Sequence, residues 1–596
     1  MYPRHVRSAS ATVLLLLLLL GCAPAAAPCP AFPAAAPAPA ALSASAAAAI
    51  PAPAGPEADV VLLLRPALSP KPLVHVELTL SRSDANTAVF TLASGAPDHV
   101  ARAGARDASG AIAVDVSPAG PGVALRLARA PSGPLTLAYD VLAGDDAPDD
   151  PLGLLVLDDR FRGAGERLVA LPEAVASARA EVLVRLDGDA LRAAGVASSL
   201  GVGKARKATV PVRALRYASY VAGSLGVQVS DDGAAHDEGA WLGSTAFDAR
   251  PSMAELAVYR TALRDLFKAR FDMPPWTTLL LTQTRPLGSF TTTPRFQSTL
   301  LQVGPGEPWS AALRLSMAQQ LARFWIGGLL RVATEPGHEA EGAWFGEGVS
   351  RYAAMLMLTR ADGITMADAR DAVGGELSVL ATSPHRALGN ARLAELARTD
   401  PAARATLMAR GALYALREAA VIRARSGGQR GLATVLQGLL RQLEERKTAA
   451  AFPLSAWLDA VGADDPDAAR TFDALVVRGE AVTLPSDALG PCFRAGTGDY
   501  VSYDPGFDVE ATRLSPDGKV VGVRAGGPAD RAGLREGDVI ESMTGRDGDA
   551  NAPVKLVATR AGARVTVTYA PRGARGRGQT WARVADVPDG RCGDLP

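Results

Sequence analysis

The sequence after residue 57 begins with short segments in which apolar and polar residues alternate. Val76, Leu78 and Leu80 alternate with polar neighbours, and a continuous apolar run covers residues 60–64. A period of two is typical of half-buried β-strands. Further strands are predicted at 123–127, 135–139, 180–186 and 214–221, with turns rich in Gly, Pro and Asp between them. The pattern predicts an antiparallel β-sandwich over residues 58–247.

From Ser252 onward the apolar residues recur at steps of three and four, which predicts helices. The expected helices cover 253–271, 311–330, 349–359, 412–425 and 432–440, and one strand is expected at 277–281. A helical domain is therefore predicted over 249–482. The residues after it are β-rich again and predict a last compact domain over 488–592, so the expected fold class is multidomain α+β.

The N-terminus has the features of a bacterial export signal, which we assign to residues 1–21. Arg4 and Arg7 precede an apolar run at 13–20, and residues 19–22, LLGC, resemble a lipobox. The lipobox predicts acylation of Cys22, with an ordinary cleaved signal as the alternative. Residues 22–57 are nearly all Ala, Pro and Ser and predict an extended linker. The protein is expected in the cell envelope, where the acylated Cys22 would anchor it to a membrane. By resemblance to lipoprotein sorting, Ala23 favours the outer membrane, with the protein facing the periplasm.

The net charge bears on nucleic-acid binding, and the cysteines bear on disulfide pairing. Lys+Arg and Asp+Glu both number 62, so the net charge is zero and gives no electrostatic case for binding nucleic acid. The envelope is oxidising and permits disulfides. Cys492 and Cys592 bracket the last domain and are predicted to pair, with two unpaired thiols as the alternative.

The last domain carries a recognisable motif. Residues 526–540 have the sequence GGPADRAGLREGDVI, which resembles the core of bacterial PDZ domains. The resemblance implies binding of peptides or protein C-termini. An extended chain end would pair with an edge strand after Gly506-Phe507, and backbone N–H groups of the Gly506, Phe507, Asp508 and Val509 segment would hold its carboxylate.

The helical domain contains two further segments that belong together. Residues 317–329 have the sequence MAQQLARFWIGGL, and residues 343–352 have the sequence AWFGEGVSRY. They resemble the H-E-x-x-H and W-x-x-E-G-x-x-x-Y helices of gluzincin aminopeptidases, which have a thermolysin-like domain. Residues 408–413, MARGAL, followed by 422–428, IRARSGG, resemble the glycyl aminopeptidase family, as does the order of domains. In that family the motif histidines bind zinc and the glutamate between them is the general base.

This chain departs from the family at the reactive positions. The histidine positions hold Gln319 and Arg323, the base position holds Gln320, and only the third ligand, Glu347, is present. The oxyanion tyrosine is replaced by Met408, which has no O–H to donate. No H-x-x-x-H occurs anywhere in the sequence. The family zinc is therefore predicted to be lost, and no other cofactor is expected.

The favoured hypothesis is a pseudoenzyme, that is, a lipid-anchored, glycyl-aminopeptidase-like protein without peptidase activity that binds peptides or partner proteins through its PDZ domain. One alternative is an active metalloaminopeptidase with a non-standard metal site, and another is a PDZ-bearing regulator of a protease. The sequence also predicts a direct ion pair between Arg323 and Glu347, because a buried carboxylate without its metal needs another cation. Gln319 and Gln320 are expected to complete the hydrogen bonds of the Glu347 carboxylate. The alternative is that Arg323 points to solvent and Glu347 pairs with a backbone group or another side chain.

Overall fold

The computed structural model describes residues 57–144, 150–188, 191, 195–231, 236–446, 451–515 and 518–596. The signal peptide, Cys22 and nearly all of the linker lie outside the described residues.

The β-strands, in chain order, are β1 Val60–Ala67, β2 Leu73–Leu80, β3 Val89–Leu92, β4 Val100–Asp107, β5 Gly110–Ala119, β6 Gly122–Leu127, β7 Leu135–Leu142, β8 Leu155–Val156, β9 Phe161–Ala164, β10 Arg179–Leu186, β11 Gly195–Ser198, β12 Gly201–Val202, β13 Ala205–Pro211, β14 Ser219–Gly223, β15 Leu225–Asp231, β16 His236–Leu242, β17 Trp276–Thr282, β18 Thr291–Arg295, β19 Ser298–Val303, β20 Phe493–Tyr503, β21 Val539–Thr544, β22 Val554–Arg560, β23 Ala563–Tyr569 and β24 Arg572–Arg583.

The α-helices are α1 Gly165–Leu168, α2 Glu173–Ala176, α3 Ala249–Phe267, α4 Ala311–Ala322, α5 Ser350–Arg360, α6 Met366–Thr382, α7 Asn390–Leu396, α8 Pro401–Arg425, α9 Leu432–Arg446, α10 Leu454–Gly462, α11 Ala468–Phe472, α12 Val509–Leu514 and α13 Pro528–Arg531. Two π-helical segments occur at Trp344–Val349 and Asp473–Val477.

The N-terminal domain is β-rich, as the alternation predicts. A nine-stranded sheet and a five-stranded sheet contribute to one apolar core, which contains Leu62 and Val76 from the first sheet and Phe161 and Tyr220 from the second. The large sheet is mixed rather than purely antiparallel, because β1 pairs in parallel with β10. The strand expected at 214–221 is also displaced. A 3₁₀ turn covers Val212–Ala214, and the strand begins at Ser219.

The second domain begins earlier than the predicted boundary near residue 249. Strand β16 pairs in parallel with β17, and β15 lies beside β16. Both strands therefore belong to the five-stranded sheet β15-β16-β17-β19-β18 beneath the helices. Parallel pairing of strands separated by a helix depends on distant residues, so local alternation does not place this boundary.

Helix α4 ends at Ala322 and not at Leu330 as the apolar stripe predicts. Gly327 has a φ of +92°, a conformation that favours glycine, and its N–H donates to the carbonyl of Leu330 at 2.7 Å. The chain therefore turns back on itself after Arg323, which caps the helix. In contrast, α8 begins at Pro401, eleven residues before the predicted start, and Asp400 caps its first turn.

The predicted C-terminal domain is divided in two. Strands β20 and β24 form a ribbon, and Phe493, Trp581 and the Cys492–Cys592 disulfide belong to the core of the helical domain. The disulfide confirms the predicted pairing. The residues between the two strands form a separate small unit with its own core around Phe507, Val520 and Leu556.

Among the residues that the structure describes, a helix and not the expected edge strand follows Gly506-Phe507. Helix α12 begins at Val509, because the Asp508 carboxylate accepts a hydrogen bond from the Ala511 N–H at 2.9 Å and caps the first turn. Across the parts of the chain that the structure describes, no helix is both long and apolar enough to cross a membrane.

Candidate functional site

Three helical segments meet at the position of the degenerate motif: α4, the π-helix Trp344–Val349 and α8. Two glycines let the π-helix and α8 touch. A Cβ at Gly348 would lie 2.4 Å from the Gly411 Cα, and a Cβ at Gly411 would lie 2.1 Å from the Trp344 carbonyl oxygen. Trp344 packs edge-on against an aromatic cluster of Tyr414, Trp457 and Phe472. This contact fixes the π-helix, a conformation that is frequent at functional sites, and with it the place of Glu347.

Glu347 is buried, with 9% of its side chain exposed, and is held by two arginines. Its Oε1 lies 3.1 Å from a terminal guanidinium nitrogen of Arg323 and 3.3 Å from one of Arg404. The contact with Arg323 confirms the predicted ion pair. Because Arg323 follows the last turn of α4, its long side chain reaches Glu347 from the place that a zinc-binding histidine has in the family motif.

Arg404 is the functional residue that the sequence analysis missed. It lies four residues before Met408 on α8, so both side chains are on one face of the helix. That spacing from the degenerate tyrosine position was the available signal. The expected helix, however, started only at residue 412, so the signal could not be read.

Gln319 contributes to the site through its side-chain amide. Its Nε2 donates to the Glu347 carbonyl oxygen at 3.0 Å and contacts the Met408 Sδ at 3.4 Å. The Gln319 Oε1 accepts from Arg351 at 3.5 Å, and Arg351 is itself paired with the buried Glu376 at 3.0 Å. The amide thus links α4, the π-helix, α5 and α8, although it does not bond to the Glu347 carboxylate as we expected.

Gln320 also points away from Glu347. Its Nε2 donates to the Thr292 hydroxyl at 3.3 Å, and Thr292 is 3.0 Å from the Ser316 hydroxyl. The Gln320 Oε1 is buried and has no hydrogen-bond partner among the described residues. The expectation that both glutamines complete the bonds of the Glu347 carboxylate is therefore wrong.

The residues present do not fit a zinc ion. A catalytic zinc site takes three protein ligands, usually His, Asp, Glu or Cys. Gln319 has its amide fully engaged, Arg323 has a permanently charged guanidinium, and Glu347 is already paired with two cations. Within the described ranges, no group of three His, Cys, Asp or Glu side chains is placed to hold a metal. This donor set cannot form the metal site of the family motif.

A cavity of about 630 Å³ opens beside the ion pair. Gln320, Arg323 and Glu347 border it on one side, and Arg331 borders it on another. Phe324 and Phe345 are among its apolar walls. Its size is that of a pocket for a small molecule or a short peptide end.

The candidate residues of the C-terminal unit do not form the expected carboxylate loop. The Gly506 N–H donates to the Asp504 carboxylate at 2.8 Å, and the Asp508 N–H donates to the Val521 carbonyl oxygen at 2.9 Å. Both N–H groups are therefore used within the unit. Phe507, Asp508 and Val509 nevertheless border a second cavity of about 540 Å³, next to Arg513 and Arg524.

No protein-family model matches this sequence, and a search of curated proteins finds no relative. Solved structures do resemble the model. An M1 zinc metallopeptidase from Deinococcus radiodurans has a TM-score of 0.42 and 19% identity, covering 72% of this chain and 93% of that one, which is too low to support an argument. An aminopeptidase N family protein from Idiomarina loihiensis has a TM-score of 0.64 and 16% identity, covering 90% of this chain and 100% of that one. At this identity the likeness concerns the fold alone, and this chain shares the fold of that aminopeptidase N family protein.

Proposed function

We propose that this chain is a peptidase-like protein of the glycyl aminopeptidase type in which an arginine pair has replaced the zinc, and that it does not hydrolyse peptides. The observation that carries the proposal is the contact of Arg323 and Arg404 with Glu347. A carboxylate that contacts two guanidinium groups has its charge neutralised without a metal.

The remaining positions lack the groups that hydrolysis needs. Gln320 stands at the place of the general base, and a neutral amide cannot take a proton from water near pH 7. Met408 stands at the place of the tyrosine that would donate to the developing oxyanion. The Met408 sulfur instead accepts a hydrogen bond from the Gln319 amide nitrogen. Activation of water and stabilisation of the transition state are therefore both missing.

Metal analysis and an activity assay on the purified chain test this proposal. We expect substoichiometric zinc after dialysis and no chelator-sensitive release of amino acids from glycine- or alanine-leading peptides. Stoichiometric zinc with chelator-sensitive turnover would favour the active metalloaminopeptidase with a non-standard site and would overturn the proposal.

The chain itself offers a matched positive control. The triple variant Q319H/Q320E/R323H restores the H-E-x-x-H spacing on α4 and leaves Glu347 as the third ligand. We expect this variant to retain about one zinc per chain under conditions in which the unmodified chain retains none. If both proteins bind zinc equally, the histidine positions do not decide metal binding, and the reasoning above fails.

We further propose that the protein is anchored by lipid at Cys22 in the cell envelope, on the periplasmic side of the outer membrane. The lipobox at 19–22 and the Ala/Pro-rich linker support this location. A Cys22→Ser variant is expected to remain soluble or unprocessed. A variant that is processed and stays with the membranes like the unmodified chain would argue against the anchor.

Peptide or partner binding by the C-terminal unit is also a proposal, supported by the PDZ-like sequence at 526–540 and by the cavity beside Phe507. Because α12 stands where an edge strand was expected, binding there would rest on side chains that border the cavity rather than on strand addition. Co-purification of a protease with the full chain, lost on an Arg524→Gln substitution at the border of the cavity, would favour a regulator of proteolysis.

A further inference from the structure

The net charge of the Arg323–Glu347–Arg404 group can be compared with that of a zinc ion bound to one carboxylate. A zinc dication with one carboxylate ligand carries a net charge of +1. Glu347 with Arg323 and Arg404 also carries +1, since one carboxylate contacts two guanidinium cations. The two arginines therefore supply the same formal charge as a zinc ion at Glu347, whereas the negative charge of the family's general base is lost at Gln320.

Two other arginines near the Arg323–Glu347–Arg404 group are paired with acidic residues of their own. Arg351 is paired with the buried Glu376 at 3.0 Å, and Arg295, at the end of β18, is paired with Glu166 at 2.6 Å. The positive charge counted here is that of the Arg323–Glu347–Arg404 group, and Arg331 is a further cation that borders the cavity. Arg323 has 18% of its side chain exposed and borders the 630 Å³ cavity, into which this charge acts.

The same cavity presents a second signal, at Gln320. This residue is only 9% exposed, and one polar atom of its amide has no partner among the described residues. The amide can be turned by 180° and still bond to the Thr292 hydroxyl, so either its oxygen or its nitrogen is left without a partner. A buried polar group of this kind favours a ligand that can donate or accept a hydrogen bond.

An amino-terminal ligand does not suit this cavity. Recognition of a peptide amine requires carboxylates, and Thr291, Thr292 and Thr293 on β18 replace the segment in which the family has a glutamate. Glu347 is held by two arginines, and the other acid that borders the cavity, Glu339, accepts the Gly337 N–H. The electrostatics of the cavity are therefore opposite to those of an aminopeptidase.

We propose that this cleft binds the C-terminal carboxylate of a peptide, with Arg323 and Arg331 facing the carboxylate and Gln320 bonding to the terminal amide group. This proposal rests on the proposed function, because a zinc ion at Glu347 would exclude the arginines. A peptide end combines an anion with an adjacent N–H and C=O, which is the set of groups that these residues can satisfy. The volume of the cavity is sufficient for a few residues of a peptide end.

Calorimetric titration of the metal-free full chain with N-acetyl-trialanine and with its C-terminal amide tests the proposal. The acid is expected to bind at least about tenfold more tightly than the amide, as a charge-assisted hydrogen bond would give. Arg331→Gln and Arg404→Gln should each weaken binding of the acid about tenfold, whereas the control Arg392→Gln, an exposed arginine paired with Glu395, should not.

The outcomes separate this proposal from the proposed function. Stoichiometric zinc overturns both. Zinc-free protein that binds acid and amide equally, binds neither, or is insensitive to Arg331→Gln and Arg404→Gln overturns only the carboxylate proposal. Inorganic phosphate that competes as well as the peptide acid would show a general anion site and would also overturn it.

Discussion

Arginines of helix α8 pair with buried carboxylates at two sites, and the two sites differ in the ratio of arginines to carboxylates. Near the N-terminal end, Glu347 contacts two guanidinium groups. Toward the C-terminal end, Arg417 serves two buried carboxylates, Glu418 and Asp465. The first site has two arginines for one carboxylate, and the second has one arginine in close contact with two carboxylates.

The surroundings of the second site explain its different behaviour. Glu418 is fully buried, and a further cation, Arg425, reaches Asp465 only at 4.0 Å. Burial raises the pKa of Glu418 to about 7, against the lowering effect of Arg417, and the Asp465 carboxylate adds to the rise. A buried acid that must share its cation therefore keeps a proton near neutral pH. Glu347 instead contacts two cations, so the formal charge of its site is positive.

The largest effect is expected when both arginines that contact Glu347 are removed. An Arg323→Ala/Arg404→Ala double variant should lose about 3–5 kcal/mol of unfolding free energy, because it leaves a buried carboxylate without a counter-charge. Urea denaturation followed by tryptophan fluorescence measures the loss, since Trp344 lies in the adjacent core. The Arg392→Ala variant, from an exposed pair, is the control and should lose less than about 1 kcal/mol. A double variant as stable as the unmodified chain would show that Glu347 does not depend on the arginines.

A second test concerns the proton on Glu418. An unfolded glutamate loses its proton near pH 4.5, and folded Glu418 loses it near pH 7. Between these values the folded state holds a proton that the unfolded state has released. This contribution to stability is therefore complete below pH 4.5 and is lost as pH rises toward 7. It amounts to at most about 3 kcal/mol.

Glu418→Gln substitutes a neutral side chain of the same shape and should flatten this part of the stability profile. The measurement is the unfolding free energy at half-unit steps from pH 4.5 to 7.5, with Glu395→Gln as an exposed control. An unchanged slope in Glu418→Gln would assign the pH dependence to other groups.

The two sites also show what the sequence could and could not predict. The Arg323–Glu347 pair was accessible from the sequence because both residues fall on a known motif, and a buried carboxylate needs a cation. Arg404 was not, because its helix begins at Pro401 through the Asp400 cap, whereas the apolar period alone suggested residue 412. Periodicity predicted strands β1, β2, β6, β7 and β10 of the first domain and helices α3, α4, α5, α8 and α9, since these elements bury one face locally.

The errors have a common cause in competition between local patterns and specific residues. The apolar stripe continues beyond α4, but Gly327 turns the chain. The PDZ resemblance implied an edge strand after Gly506-Phe507, but the cap at Asp508 starts α12. Parallel pairing of β16 with β17 moves a domain boundary that no local pattern marks. Caps, left-handed glycines and long-range pairing are each decided by one or two residues or by distant ones.

The smallest expected effect comes from single variants of the half-exposed arginines at the two sites. Arg404 has 48% of its side chain exposed and Arg425 has 49%. Arg404→Ala should cost less than about 1 kcal/mol, because Arg323 remains on Glu347 and solvent screens the outer guanidinium. The cost should shrink as salt rises from 0.05 to about 0.5 M, because screening weakens an exposed charge pair. Arg425→Ala should cost less still, given its 4.0 Å separation from Asp465. If Arg404→Ala alone cost as much as the double variant, Arg404 and not Arg323 would be the main partner of Glu347, and the replacement of a motif histidine by arginine would be incidental to the stability of the site.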